Sequence, residues 1–400
     1  MTAPQKKIRL GVAGLGRAFT LMLPTLVGDE RIVLAAGADP RPEARAQFER
    51  DFGGRGYESV EAMCGAPDLD AIYVSTPHQF HRANVETAAR HGKHVLCEKP
   101  MALSLEDCAA MIEAVGRAGV LMVVGHSHSF DRPIARAREI VASGEIGGVR
   151  MINALQFTDF LYRPRRPEEL MTEQGGGVIF NQAPHQVDNV RMIGGGRVKS
   201  VRAATGAWDA SRRTEGAYTA FLTFEGGAFA SLTYSGYGHL DADEFTGWIA
   251  ESGVRKDPGK YGAARAALAG VTDELAFKND TNFGGPGYAP PPAPKAGETR
   301  WHQHFGLLIA SCARADLRPQ PDGVLIYGDR ERRFEPLPPP RVHRAEVVNE
   351  LHAAVFGGRA PLHDGKWAMA TMEVCFALLQ SAREGREVAL NNQCGLPAGM

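Results

Sequence analysis

The 400-residue sequence carries almost no net charge: 45 Lys and Arg against 46 Asp and Glu leave a formal −1. That balance removes the electrostatic case for nucleic acid or an anionic membrane as a partner. Although 44% of residues are hydrophobic, no uninterrupted apolar run is long enough to span a bilayer. Residues 1–7 are polar and lead straight into a strand, which leaves no room for the apolar core of a signal peptide. Cysteine is sparse, and Cys64, Cys97, Cys108, Cys312, Cys375 and Cys394 are scattered without a Cys-x-x-Cys pair. They read as reduced thiols of a cytoplasmic protein, against a disulfide or zinc framework. No internal repeat is present. The length exceeds the usual single core, so two domains are expected.

The first third alternates strand and helix signals. Short apolar runs at 8–13, 32–38, 71–74, 93–97 and 120–124 read as strands, and 17–27, 79–90 and 103–118 as helices. Such alternation predicts a parallel, doubly wound α/β sheet over residues 1–126. After that the pattern changes. Residues 150–158, 198–208, 218–224 and 228–237 look like longer strands, several with alternating polarity, and 221–228 reads as a hairpin. An α+β domain built on one large, mostly antiparallel sheet is expected over 127–400. The Gly-, Pro- and Asn-rich stretch 279–299 predicts a mobile surface loop. Two late helices, near 344–356 and 366–383, close the chain.

Two features of the first domain carry chemistry. Gly14-Leu15-Gly16 follows a strand and precedes a helix, where glycines let backbone amides approach a pyrophosphate at the helix N-terminus. The third position of that fingerprint is Phe19 in place of Gly, so helix–strand packing must differ there. Asp39 ends the second strand, twenty residues past Phe19, where a carboxylate can accept the ribose hydroxyls of NAD. The plainer alternative is a helix N-cap before Arg41-Pro42-Glu43, and the two roles can coexist. Arg41 leaves NADP open. The second feature is Glu98-Lys99-Pro100 at the end of the strand His94-Val95-Leu96-Cys97. It puts an amine at the carboxyl edge of the sheet, where ligands of open α/β folds bind. Burial beside other cations would bring such a lysine toward working pH, fit to exchange a proton while hydride moves.

With these blocks, joined by Val74-Ser75-Thr76-Pro77 with His81 and by Gly175-Gly176-Gly177 with His185 and Asp188, the sequence resembles the Gfo/Idh/MocA oxidoreductase family. The resemblance spans nearly the whole chain. It implies an N-terminal Rossmann domain binding NAD, a C-terminal α/β domain, and a homodimer or homotetramer. It also implies a cofactor edge of Gly14, Leu15, Gly16, Arg17, Ala18, Asp39, Arg41, Thr76, Pro77, His81, Glu98 and Lys99, with Lys99 as general base. The family's acid four residues before the histidine is Asn181 here, so the proton relay should rest on Lys99 and His185. Arginines common in the family near residue 128 are replaced by His126-Ser127-His128-Ser129-Phe130. That segment, with Asp159 to Pro167 and Gln182 to Asp188, is similar to the branch oxidising cis-dihydrodiols of aromatic carboxylates. Phthalate 4,5-cis-dihydrodiol is the foremost substrate implied, and a chlorobenzoate dihydrodiol the next.

In the second domain Asn181, His185 and Asp188 recur at helical spacing and would share one face. His185 would hold and relay the substrate hydroxyl proton, although a satisfied core histidine gives the same pattern. His128, Asn181, Arg163, Arg165 and Arg166 are substrate candidates. A guanidinium binds a carboxylate bidentately, while Glu168 and Glu169 nearby allow a plain ion-pair cluster instead. Thr76-Pro77 either borders the nicotinamide or simply stops a strand. His126-x-His128 and His302-x-His304 have metal-pair spacing, but no carboxylate or thiolate completes either set, so no metal is expected. A sugar or inositol dehydrogenase and a non-catalytic NAD-binding regulator remain as alternatives.

Overall fold

The computed structural model describes residues 6–260, 262–290 and 298–397. The chain divides into two compact units. One comprises the chain up to His126 with Leu275–Ala293 and Arg341–Met369; the other comprises Ser127–Glu274, Pro294–Pro340 and the chain from Ala370 onward. Residues 275–293 and 341–369, which the sequence reading gave to the second domain, thus pack with the first.

The first unit is organised by β1 (Ile8–Ala13), β2 (Ile32–Ala38), β3 (Arg55–Tyr57), β4 (Ala71–Val74), β5 (His94–Cys97) and β6 (Met122–Val124). They form one parallel sheet in the order β3-β2-β1-β4-β5-β6. β4 is buried along its whole length, as a parallel strand covered on both faces must be. The connecting helices are α1 (Arg17–Gly28), α2 (Pro42–Phe52), α3 (Val60–Cys64), α4 (His81–Arg90) and α5 (Leu105–Ala118). Their ends are encoded locally. The Ser104 hydroxyl accepts the Asp107 amide at 3.0 Å, and Gly119 closes α5 in the left-handed region at φ 65°. The sheet changes direction of winding between β1 and β4, the switch point at which doubly wound folds bind ligands.

Phe19 explains how α1 packs without the third fingerprint glycine. Its ring is fully buried and meets Phe48 at 6.2 Å, Phe52 at 6.3 Å and Phe283 at 5.2 Å. An aromatic cluster therefore fills the space that close helix–strand contact would otherwise remove. Phe283 comes from the stretch expected to be a loop, and the expectation needs correcting. Residues 279–281 end an α-helix that starts at Glu274, and Asn282 and Phe283 are buried. The Pro-rich part of that stretch, 291–297, lies outside the described residues.

The second unit carries α6 (Arg132–Ala142), β7 (Val149–Phe157), α7 (Gly177–Asn181), α8 (Ala183–Gly194), β8 (Val198–Gly206), β9 (Ala217–Phe224) and β10 (Phe229–Ser235). With β11 (Leu307–Cys312), β12 (Ala315–Gln320), β13 (Gly323–Gly328), β14 (Arg332–Pro336) and β15 (Val388–Ala389) they make a nine-stranded sheet among the described residues. Every pair is antiparallel except β7 with β10. β9 and β10 form the expected hairpin, closed by the Gly227 amide on the Phe224 carbonyl at 3.0 Å. β11 to β14 were not anticipated from sequence. No helix among the described residues is long and apolar enough to cross a membrane.

Candidate active site

The Gly14 turn is held from both sides of the switch point. Gly14 has φ +90°, and a Cβ there would lie 3.0 Å from the Thr76 nitrogen and Cα. Only glycine allows that approach without strain. The Ser75 hydroxyl donates to the Gly14 carbonyl at 2.8 Å and ties the turn to β4. Gly16 caps α1 with no side-chain bond, and a Cβ there would face open space. The amides of Arg17 and Ala18 at the start of α1 thus lie at an uncrowded helix N-terminus, which fits the pyrophosphate of a dinucleotide.

Asp39 is 6% exposed, and its carboxylate is fully engaged by this chain. Oδ2 accepts the Leu15 amide at 2.9 Å and Arg41 Nη2 at 3.1 Å; Oδ1 accepts the Arg41 amide and Nε, both at 3.0 Å. Arg41 also reaches the Leu15 carbonyl at 2.9 Å. These bonds occupy the carboxylate's accepting positions. The ribose role expected of Asp39 therefore requires the Arg41 guanidinium to move aside.

The Lys99 edge is built at the ends of β4 and β5. Lys99 is half-buried, two residues past the end of β5, and its bond to Pro100 is cis. His81, expected at the nicotinamide, is wholly buried and bridges two turns. Its Nδ1 lies 3.0 Å from the Pro100 carbonyl and its Nε2 3.0 Å from the Thr76 carbonyl. Its ring therefore fixes the Lys99-Pro100 turn against Thr76-Pro77. The Thr76 hydroxyl accepts from Asn84 at 3.0 Å. Glu98 turns its carboxyl inward, where the Tyr73 hydroxyl donates to it at 2.5 Å. Burial pushes that carboxyl's pKa up, while Tyr73, Lys99 and Arg344 pull it back.

The second unit gathers a separate cluster of rings and charges. The His128 and His185 rings meet edge to face at 4.8 Å, and each lies 5.2 Å from Phe305. Tyr234 stacks on Phe305 at 6.0 Å. His128 Nδ1 lies 2.7 Å from Asp131 Oδ2, and its Nε2 3.4 Å from Glu251 Oε1. Burial pulls the His128 imidazole toward neutrality, but Asp131 and Glu251 prevail and lift its pKa to about 9. Arg163 lies 3.4 Å from Asp159. Burial opposes its charge, and Glu251 and Asp159 outweigh that. Arg165 lies over the Phe160 ring at 3.7 Å, and its Nε is buried without a partner. Burial pushes its pKa down to about 10, with Glu169 opposing and Arg163 and Arg212 adding to the push. A guanidinium remains charged there at neutral pH. Arg166 instead gives its amide to Glu169 at 2.6 Å.

The expected single helical face does not form. α7 ends at Asn181, Gln182 breaks the helix at φ −122°, and α8 starts afresh with Pro184 in its first turn. Pro184 cannot donate the amide that would continue α7. Asn181 donates to the carbonyls of Gly175 at 3.1 Å and Gly177 at 2.8 Å, closing its own loop. Asp188 accepts from the hydroxyls of Ser129 and Thr371, the latter at 2.9 Å. His304 spends both ring nitrogens on backbone, the Gly306 amide at 3.1 Å and the Ile249 carbonyl at 2.8 Å. Among the described residues no group of three or more His, Cys, Asp or Glu is arranged to hold a metal ion.

Comparison with known proteins agrees with this architecture. Residues 8–126 match the model of the oxidoreductase family with an NAD-binding Rossmann fold, and 134–246 match the Gfo/Idh/MocA C-terminal domain. A 1-carboxy-3-chloro-3,4-dihydroxycyclohexa-1,5-diene dehydrogenase of Comamonas testosteroni is 46% identical over 380 residues, 94% of this chain and 95% of that one. A solved Bordetella bronchiseptica structure assigned as a dehydrogenase superposes with a TM-score of 0.89 at 42% identity, covering 96% of this chain and 100% of that one. The WlbA dehydrogenase of Bordetella pertussis, solved with NADH and UDP-GlcNAcA, shares the fold at a TM-score of 0.67 and 21% identity, covering 96% and 99%. The chain belongs to the Gfo/Idh/MocA family of NAD-dependent oxidoreductases.

Proposed function

We propose that this dehydrogenase oxidises a cis-dihydrodiol of an aromatic carboxylate to the corresponding catechol. The observation that carries the reading is the cluster of the second unit, where rings of Tyr234, Phe305, His128 and His185 adjoin Arg165, whose Nε is buried without a partner. A flat carboxylated ring is complementary to it, since aromatic faces stack and a guanidinium binds a carboxylate through paired donors. The relationship to a chlorinated dihydroxycyclohexadiene carboxylate dehydrogenase supports the same substrate class.

NAD, when bound, supplies the hydride acceptor. Lys99 takes the hydroxyl proton from the carbinol carbon that loses its hydride, leaving a ketone that tautomerises to the catechol. Aromatisation favours oxidation as the working direction. His185 holds the reacting hydroxyl, and His128, clamped between Asp131 and Glu251, supports its ring through the edge contact. Arg163 and Arg165 receive the carboxylate, with Arg166 at the rim. The Gly14 turn and the start of α1 take the pyrophosphate, and Asp39 takes the ribose once Arg41 yields. NADH formation across a panel of cis-dihydrodiols, cyclitols and hexoses tests the reading. Turnover confined to the carboxylated dihydrodiols is expected; faster turnover of a cyclitol or hexose would refute it.

A further inference from the structure

Binding of NAD at Asp39 asks Arg41 to yield its place, yet the turn that carries Arg41 is braced around that pairing. Arg45 Nη1 donates to the Asp39 and Pro40 carbonyls, each at 2.9 Å, and the Asp39 amide donates to the Tyr57 carbonyl at 3.2 Å. The path of the chain from β2 into α2 is thereby fixed, and with it the root of the Arg41 side chain. Four N–H donors fill the four accepting positions of the Asp39 carboxylate, two of them from the Arg41 guanidinium.

A pair of ribose hydroxyls gains an acceptor on Asp39 only by breaking those guanidinium bonds, and with them the bond from Arg41 to the Leu15 carbonyl at 2.9 Å. The hydrogen-bonding capacity left over on Arg41 is a donor. Its Nε and Nη2 are spent on Asp39 and Leu15, whereas Nη1 makes no hydrogen bond among the described residues, and the side chain is 27% exposed. The end of the second strand is where a dinucleotide's adenosine ribose lies in this fold. A guanidinium there with N–H groups still to give suits an acceptor-rich anion better than a hydroxyl pair. Paired with Asp39, it also offsets the charge by which that carboxylate repels a phosphate. Glu43 on α2 and Glu58 after β3 are exposed, where solvent and salt screen them.

We infer that Arg41 selects between the two nicotinamide coenzymes, and that the chain takes NADP(H) alongside NAD(H). NAD(H) displaces the guanidinium from Asp39; NADP(H) leaves Asp39 neutralised and draws the remaining Arg41 donors onto its 2′-phosphate. The inference rests on the coenzyme placement proposed above and is independent of the substrate. The test measures Kd for NADH and NADPH from nicotinamide fluorescence, without substrate, in the unaltered protein, Arg41→Ala and Arg41→Lys. The unaltered protein binds NADPH with a Kd within about tenfold of that for NADH. Arg41→Ala removes charge-assisted bonds to the phosphate and weakens NADPH about tenfold to hundredfold, while NADH, with no guanidinium to displace, binds more tightly. Arg41→Lys keeps the charge without the planar fork and falls between the two. NADPH bound more than about tenfold more weakly than NADH by the unaltered protein, or an Arg41→Ala shift in the ratio of the two constants of less than about tenfold, overturns the inference and leaves the dihydrodiol reading standing. Binding of neither coenzyme by the unaltered protein would overturn the coenzyme placement and the inference with it.

Discussion

Replacing Asp131 by Asn removes one negative charge from the His128 clamp while keeping its shape. His128 is 1% exposed, and its Nδ1 is 2.7 Å from the Asp131 carboxylate. Burial alone would make the imidazole shed its proton; Asp131 and Glu251 instead raise its pKa from 6.5 to about 9. Holding the proton that much more tightly in the folded chain stabilises it by about 3 kcal/mol, at ~1.4 kcal/mol per tenfold in affinity. Because the folded value is the higher one, the contribution is complete below pH 6.5 and is lost as pH rises through about 9. The stability gap between the unaltered protein and Asp131→Asn should therefore be widest below pH 6.5 and narrow by about 2–3 kcal/mol across that window. Denaturant midpoints measured in parallel cancel the titration of groups that the two proteins share. Histidine-selective NMR follows the His128 titration directly. A gap that stays constant with pH, or a His128 resonance titrating near 6.5 in the unaltered protein, would refute the clamp as a charge-holding device.

Lys99→Ala should lower kcat about 10²–10⁴-fold, the usual worth of a positioned base, with NADH binding kept; near-normal turnover would remove Lys99 from the mechanism. Gly14→Ala must hold a left-handed residue against the Thr76 backbone at 3.0 Å. At ~1–2 kcal/mol of conformational cost, NADH affinity should fall about tenfold or more. An unchanged Kd in a fluorescence titration would exclude that turn as the pyrophosphate cradle. Arg165→Ala should raise KM for a carboxylated diol by the equivalent of about 1.5–3 kcal/mol while kcat holds. An equal loss with an uncarboxylated diol would make Arg165 a structural residue.

The doubly wound half was readable because parallel strands buried on both faces leave short, nearly unbroken apolar runs such as Ala71-Ile72-Tyr73-Val74. β3 escaped because Arg55-Gly56-Tyr57 has no such run. In the second unit β7 to β10 were visible through alternation. β12 and β14 were not, since Arg318 and Pro319 sit inside one and Arg332, Arg333 and Pro336 occupy the other. Charge and proline on β14 suit its place at a sheet edge. Of the proposed site, the residues on local motifs could be named: Gly14, Asp39, Lys99, His185. Glu251, Tyr234 and Phe305 could not, because they come from separate elements joined only by tertiary pairing. Even the spacing of Asn181, His185 and Asp188 misled, since periodicity does not register that Gln182 and Pro184 end one helix and begin another.

The aromatic plug at Phe19 has a consequence for how the nucleotide half comes into being. Its closing piece, Phe283, is encoded well beyond the last strand of that sheet, and Arg341–Met369 joins the same body later still. A fragment ending at His126 would leave Phe19, Phe48 and Phe52 facing water, and apolar rings of that size favour aggregation when uncovered. The nucleotide half is therefore complete only once Phe283 and Arg341–Met369 have been made, long after its last strand.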